Sequence, residues 1–141
     1  MATILAHITV HPGAEQRFEE LACELWAVTH ATEPDVRRYE YWRSAEPRTY
    51  YTLLAFADYH AFLAHQASDH HEAAGQELGL LIESLRLEWI DPVPGASVLP
   101  ATAAQPLPDD ADDRVRLYAG LFAPEIARWW STVVPTQERS S

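Results

Sequence analysis

Four of the seven histidines in the chain lie between residues 60 and 71, where they could transfer protons. A neutral imidazole near pH 7 can accept the proton of a phenol or an enol. His65 shares a predicted helix face with Phe62, so we take it as the first candidate catalytic base and His70 as the second. The alternative for each is a capping or core histidine whose ring nitrogens are satisfied within the protein.

The spacing of these histidines does not favour a metal site. His65 and His70 are five positions apart across a predicted helix break. A metal site on one helix would place its ligands at i and i+4, or would combine them with a recognisable carboxylate pattern. The sequence therefore predicts no metal.

Aromatic residues on two neighbouring predicted strands could form the wall of a binding pocket. Tyr39, Tyr41, Thr52 and Phe56 fall on the same face by strand alternation. Aromatic walls stack against flat conjugated ligands, and tyrosine hydroxyls can bind a ligand oxygen. Phe62 and Trp26 are candidate contributors from the helices. The competing interpretation is that these aromatics are simply core.

Alternation of period two and helical spacing predict the order β-α-β-β-α-β. Asp58 is a candidate N-cap for the second helix, and Asp69 with Glu72 reads as a capping box that restarts it after a break near Ala67. The order predicts an α+β, ferredoxin-like fold with a four-stranded antiparallel sheet covered by helices on one face. The predicted strands are residues 3–10, 35–43, 49–57 and 83–90, and the predicted helices are residues 14–29 and 58–82.

The uncovered face of this sheet would be apolar, with residues such as Leu5, Tyr51 and Leu53. A large bare apolar patch is unusual on a soluble monomer. A second copy supplying its own sheet is the simplest cover, so we predict a homodimer joined through the sheet faces.

The composition changes after Asp91, where five of the ten prolines fall between residues 92 and 108. This pattern predicts a core domain at residues 1–92 and an extended Pro/Asp-rich linker at 93–112. We expect a helical extension at 113–134, capped by Asp112 or Asp113, and a disordered tail at 135–141. So apolar an extension should dock on the domain or on the partner subunit, where it could form a lid over the pocket.

Charge and hydrophobicity exclude several partners. The net charge is −11 and all ten basic residues are arginines spread along the chain, so we expect no nucleic acid partner. No apolar run approaches the ~18 residues that span a bilayer and no leader segment is evident, so we expect no membrane association and a cytoplasmic location.

The runs ITVHPG, RYEYW, YYTLLAF and AFLAHQASDHH resemble the antibiotic biosynthesis monooxygenase (ABM) family. The most specific part is His65 to His70, which is similar to the family's "aH…s-p-H" run with Asp69 in place of proline. The resemblance covers about residues 3–92. It implies a dimeric α+β barrel, with a pocket in each subunit between the sheet and its own helices.

This chain differs from members of the family at positions that bear on chemistry. In its cofactor-free anthrone oxygenases, an Asn and a Trp on the third strand and a Tyr on the next helix correspond to Thr52, Phe56 and Phe62. In its heme-degrading branch, the Asn and His that hold heme correspond to Ala6 and Gly75, so we expect no heme.

Together, the residues and the resemblance predict a cofactor-independent monooxygenase with O2 as co-substrate. Its substrate would be a small phenolic, anthrone or hydroquinone-like aromatic of secondary metabolism. Two alternatives stay open. One is a proton-transfer enzyme of the polyketide cyclase or isomerase type, and the other is a non-catalytic, small-molecule-binding dimer. An open cavity lined by His65 and Tyr41 would favour an enzyme, whereas a cavity filled by Trp129 and Trp130 would favour binding.

Overall fold

The computed structural model describes residues 1–124, which form four strands and four helices in the order β-α-β-β-α-α-β-α. Trp129 and Trp130 lie outside the described residues, as do residues 125–134 of the predicted helical extension. The elements are β1 (Ala2–Val10), α1 (Glu15–Thr32), β2 (Val36–Arg43), β3 (Thr49–Phe56), α2 (Tyr59–Ala67), α3 (Asp69–Leu81), β4 (Ile82–Trp89) and α4 (Asp113–Leu121).

The strands form one antiparallel sheet in the order β2-β3-β1-β4, which confirms the predicted ferredoxin-like α+β fold. In the register of β1 with β3, Ala6 lies opposite Thr52 and Ile4 opposite Leu54. These residues share the face that the helices cover. Tyr39 and Tyr41 of β2, which pair with Leu54 and Thr52, lie on the same face. Alternation along each strand therefore places one set of side chains in the core.

The core lies between this face and the helices. α1 buries Phe18, Leu21 and Leu25, which recur at helical spacing. From α2, Phe62 and Leu63 are fully buried. The other face of the sheet carries half-buried residues such as Leu5, and Trp42 stays 59% exposed.

The predicted break of the second helix is present, and a side-chain cap marks each part. Asp58 accepts a hydrogen bond from the Ala61 amide at 2.8 Å, as expected for an N-cap. The expectation that Asp69 caps α3 is wrong by one residue, because Ser68 takes the extended N-cap conformation and accepts from the His71 amide at 3.3 Å. The Asp69 carboxylate instead accepts from Arg114 of α4.

The Pro-rich segment between β4 and α4 has no helix or strand but is attached to the domain. The Thr102 amide donates to Asp91 Oδ1 at 2.6 Å, and the Thr3 amide donates to Thr102 Oγ1 at 3.3 Å. Asp112 caps α4 by accepting from the Val115 amide at 2.9 Å. α4 then packs on α2 of its own domain. None of the helices in the described part of the chain is long and apolar enough to cross a membrane.

We predict that Leu63→Ala lowers the free energy of unfolding by about 2–5 kcal/mol, because Leu63 is 0% exposed and its truncation leaves a cavity. Urea denaturation gives this value. Leu80→Ala is a matched control on the next helix, since Leu80 is 80% exposed and the same truncation there should change the free energy by less than about 0.5 kcal/mol. Equal losses in the two variants would contradict the described core.

Candidate active site

A cavity of about 490 Å³ lies between the helix-covered face of the sheet and the helices. The volume is in the range of small-molecule sites. Most of the lining surface is apolar. Its polar residues are Tyr39, Tyr41, Thr52, His65, Gln66, His71, Glu83, Ser84 and Tyr118.

His65 presents one ring nitrogen to a carboxylate, and its other ring nitrogen has no partner. Its side chain is 0% exposed and lies in the last turn of α2. Nδ1 is 2.9 Å from Glu33 Oε2 and 3.1 Å from Glu33 Oε1. Nε2 is buried and has no hydrogen-bond partner among residues 1–124. Because a carboxylate accepts, Nδ1 carries the proton, and Nε2 of the neutral ring is a free acceptor.

Glu33 is held at the junction of three helices. It is the C-cap of α1, where Pro34 ends the helix, and its amide donates to the Thr29 carbonyl at 2.9 Å. Glu33 Oε2 also accepts from His70 Nε2 at 2.7 Å. Burial by itself would raise the pKa of the Glu33 carboxyl, but hydrogen bonds and charge attraction from His65 and His70 outweigh it and lower this pKa. Glu33 is therefore an anion at neutral pH.

His70 does not line the cavity. Its Nε2 lies 3.2 Å from Ser68 Oγ and 3.4 Å from Thr29 Oγ1. The geometry gives His70 contact with the carboxylate and not with the cavity, so its predicted role as a base stays a prediction that this placement does not favour.

His71, the next residue, does line the cavity. Its ring lies 4.9 Å from the His65 ring, edge to face. Burial, and then the neighbouring His65 and His70, lower the pKa of His71 to about 4. A neutral imidazole therefore faces the cavity at pH 7.

The tyrosines on β2 form a hydroxyl pair in the cavity wall. The Tyr39 and Tyr41 hydroxyls are 2.9 Å apart, so one donates to the other. Burial raises the pKa of Tyr41 to about 12 and also raises that of Tyr39, so both stay protonated at neutral pH. One hydroxyl proton of the pair is left to bind a ligand oxygen. Thr52 Oγ1, also buried, has no partner in the described part of the chain.

Three predicted pocket residues lie elsewhere. Phe56 is opposite Ala2 at the end of the sheet and packs 5.2 Å from the His65 ring, so it helps to position that ring without lining the cavity. Phe62 is enclosed in the core. Trp26 does not line this cavity, and its contribution to a binding pocket stays a prediction. It follows the buried Leu25 and lines a neighbouring groove between α1 and β2, which shares Phe18 and Tyr41 with the cavity.

Glu33, His71, Tyr118 and Phe122 are site residues that the sequence interpretation missed. The Glu33–Pro34 pair indicates the end of a helix. No local sequence pattern indicates that the Glu33 carboxylate contacts His65, because His65 is 32 residues away in the chain. His71 could have been found, because it lies six positions after His65 in the same histidine cluster.

The same cluster could also hold a metal. Glu33, His65 and His70 each offer one ligand atom, and these atoms lie within 4.8 Å of one another. Two imidazoles and one carboxylate suit a divalent transition metal. The spacing along the helices does not show this combination of histidines and a carboxylate, because the fold brings Glu33 to the histidines from another helix. The absence of a metal stays a prediction.

The fold and this site define a ferredoxin-like α+β protein with a mainly apolar pocket and a carboxylate-supported histidine. Residues 1–77, more than half of the chain, match the antibiotic biosynthesis monooxygenase family. The chain therefore belongs to the antibiotic biosynthesis monooxygenase family. No curated protein matches the chain.

Solved structures from bacteria share the fold. A Caulobacter crescentus protein assigned to the antibiotic biosynthesis monooxygenases is 29% identical, with a TM-score of 0.62, and the match covers 65% of this chain and 89% of that one. A Shewanella oneidensis protein is 26% identical, with a TM-score of 0.59 over 63% and 87%. A Bacteroides thetaiotaomicron structure at 19% identity, with a TM-score of 0.62 over 74% and 95%, shows the fold alone.

We predict that His71 makes stability pH-dependent. The folded protein lowers its pKa to about 4, whereas the unfolded chain takes up this proton near pH ~6.5. Between these values the unfolded state binds more protons, so the free energy of unfolding falls as pH decreases, by up to about 3 kcal/mol from this group. Urea denaturation from pH 7 to 4 should show a smaller fall in His71→Gln. His11→Gln, in a solvent-exposed position, should keep the wild-type slope. Superimposable curves for wild type and His71→Gln would refute the assignment.

Proposed function

We propose that this protein is a cofactor-independent monooxygenase that oxidises a phenolic, anthrone or hydroquinone-like aromatic substrate with O2. Membership of the family and the Caulobacter crescentus neighbour support a monooxygenase-like function. The observation that carries the proposal is the buried His65 Nε2, which is unpartnered within the described chain while Nδ1 is held by Glu33.

The first step is proton transfer within the cavity. A substrate hydroxyl, or an acidic CH2 next to a carbonyl, gives its proton to His65 Nε2. The imidazolium that forms is stabilised by the Glu33 carboxylate, which already accepts from Nδ1. A free hydroxyl of the Tyr39 and Tyr41 pair can donate to the developing phenolate or enolate oxygen.

The second step is reaction of the substrate anion with O2. The electron-rich anion passes one electron to O2, and recombination of the two radicals forms a carbon–oxygen bond and a peroxide anion, which takes a proton from His65. Loss of water from the hydroperoxide leaves a carbonyl. Overall, a ring CH2 and O2 become a ring C=O and H2O, so the substrate carbon is oxidised to a quinone and O2 is reduced. The protein supplies a base, orientation and a cavity whose surface is mainly apolar.

The second candidate function is proton transfer without oxygen, as in a cyclisation or isomerisation. Two observations favour keeping it. The pair of His65 and Glu33 is sufficient for such a reaction, and Thr52 stands where oxygenases of the family have Asn. The cavity that residues 1–124 form around His65 and Tyr41 supports an enzyme over a binding protein.

We also propose that the protein acts as a homodimer joined through the sheet faces, in secondary metabolism. Half-buried residues such as Leu5, Tyr51 and Leu53 lie on the face opposite the helices, and Trp42 is largely exposed there. A second sheet would remove this apolar surface from water.

We predict that His65→Ala lowers kcat for O2 uptake on anthrones or hydroquinones by about 10²–10⁴-fold, because the only imidazole the described lining then retains is His71, whose pKa is lowered to about 4 and which is therefore a weak base. The measurement is O2 consumption with quinone formation, without added metal, flavin or heme. Imidazole added to the solution should restore part of the rate. His11→Ala, which removes an exposed histidine, should match wild type.

Three results would contradict parts of this proposal. Unchanged uptake in His65→Ala would remove His65 as the base. No uptake by wild type on any substrate would remove the oxygenase and leave the proton-transfer candidate. Uptake lost with EDTA and restored by one metal ion would remove cofactor independence and assign the metal to Glu33, His65 and His70.

We predict that Glu33→Gln lowers kcat by at least about tenfold while KM stays near the wild-type value. The amide keeps the shape but neither stabilises the imidazolium nor enforces the Nδ1–H tautomer. Steady-state O2 uptake gives both constants. Glu77→Gln is the control, since Glu77 pairs with Arg17 between α1 and α3 and does not line the cavity. A change in KM with kcat intact would indicate that Glu33 acts on binding alone.

A further inference from the structure

The wall of the cavity includes a helix outside the part of the chain that matches the family. The match ends at residue 77, whereas α4 begins at Asp113. Tyr118 and Phe122, one helical turn apart, both line the cavity that contains His65. Their rings are nearly parallel, at 7°, with centroids 6.0 Å apart.

Polar contacts fix α4 to the two helices that carry the histidines. The Tyr59 hydroxyl donates to the Phe122 carbonyl at 2.9 Å, and the Tyr118 hydroxyl donates to Glu72. Arg114 donates to Asp69 Oδ1 at 2.9 Å and to the Ala67 carbonyl at 3.2 Å. A helix of nine residues would not be stable alone in water. α4 therefore owes its position to α2 and α3.

The segment before α4 also makes hydrogen bonds to the domain, so the helix is not connected to it by a loose linker. The Ala103 amide donates to the Met1 carbonyl at 3.1 Å. At the start of α2, His60 Nε2 donates to the Pro106 carbonyl at 2.8 Å, and the His60 amide donates to Gln105 Oε1 at 3.1 Å. Together with the Thr102 contacts, these hydrogen bonds fix the position of the segment that leads into α4.

The two aromatic rings have different neighbours. The hydrogen bond to Glu72, then burial, raises the pKa of Tyr118 to about 12, so its hydroxyl stays protonated and engaged on α3. The ring, and not the hydroxyl, is what Tyr118 offers to a ligand. Phe122 packs edge to face on Phe62 at 5.9 Å, which ties it to the core. Exposed Leu121 lies on the outer side of the same helix.

We propose that α4 determines substrate specificity, with the rings of Tyr118 and Phe122 forming a stacking wall that selects fused, multi-ring planar aromatics over single-ring ones. This inference rests on the proposed function for the reaction but concerns binding. Aromatic faces contribute contact area that grows with the flat area of the ligand. A single ring next to His65 and the tyrosines need not reach α4, whereas a fused system filling the cavity must contact it.

The test is anaerobic calorimetric titration of the full chain with a hydroquinone, a naphthohydroquinone and an anthrone. Wild type should bind more tightly as ring number increases. Phe122→Leu keeps the backbone carbonyl that Tyr59 binds and removes only the ring, so it should weaken anthrone binding by about 5–20-fold and hydroquinone binding by less than about twofold. Leu121→Ala, on the exposed side of α4, should match wild type.

If Phe122→Leu folds poorly, Tyr118→Leu keeps the test decisive, because it removes the other ring and should weaken anthrone binding more than hydroquinone binding. Phe122→Tyr retains the ring and should bind anthrone within about twofold of wild type. Tyr118→Phe keeps its ring but loses the bond to Glu72, and should also keep the preference for three rings. If Phe122→Leu weakens the binding of all ligands equally, or weakens the binding of none, the proposal is overturned. It is also overturned if wild type binds no ligand of the series.

The two proposals fail in different ways. Selective loss of anthrone binding in Phe122→Leu without any O2 uptake by wild type would sustain the role of α4 and remove the oxygenase. O2 uptake by wild type with the same ring preference in Phe122→Leu would sustain the oxygenase and remove the role of α4.

Discussion

The hydrogen bond between the Glu33 carboxylate and His65 Nδ1 is the interaction on which the site depends. It joins the end of α1 to the end of α2, and a second bond from His70 adds the start of α3. A charged carboxylate in a partly buried position is costly without such partners. The fold meets this cost with two imidazoles, and the result is a histidine held by its Nδ1, whose buried Nε2 has no partner among residues 1–124.

The residues that line the cavity come mainly from the sheet, from α2 and α3, and from α4. The sheet supplies the tyrosine pair and Thr52, α2 supplies His65, and α4 supplies aromatic rings that the family match does not include. Residues that hold the site in place lie behind those that line it. Phe56 packs against the His65 ring and Phe62 against Phe122, so both contribute to positioning rather than to ligand contact.

Three candidate residues on the helices, Trp26, Phe62 and His70, do not line the cavity, for a common reason. A helix face is wider than a pocket, and each step along a helix rotates the side chain by about 100°. Trp26 therefore turns away from the core beside Leu25, and His70 meets Glu33 while its neighbour His71 reaches the cavity.

The sequence by itself determined the elements, their order, the helix break and the face of each strand, because alternation, helical spacing and capping are local properties of neighbouring residues. It also singled out His65, Tyr39 and Tyr41 by those faces. Only the tertiary structure brought Glu33 to His65 across 32 residues and set α4 over the cavity. Such contacts depend on how the helices cross and on where a proline-rich segment attaches, and no local pattern encodes either.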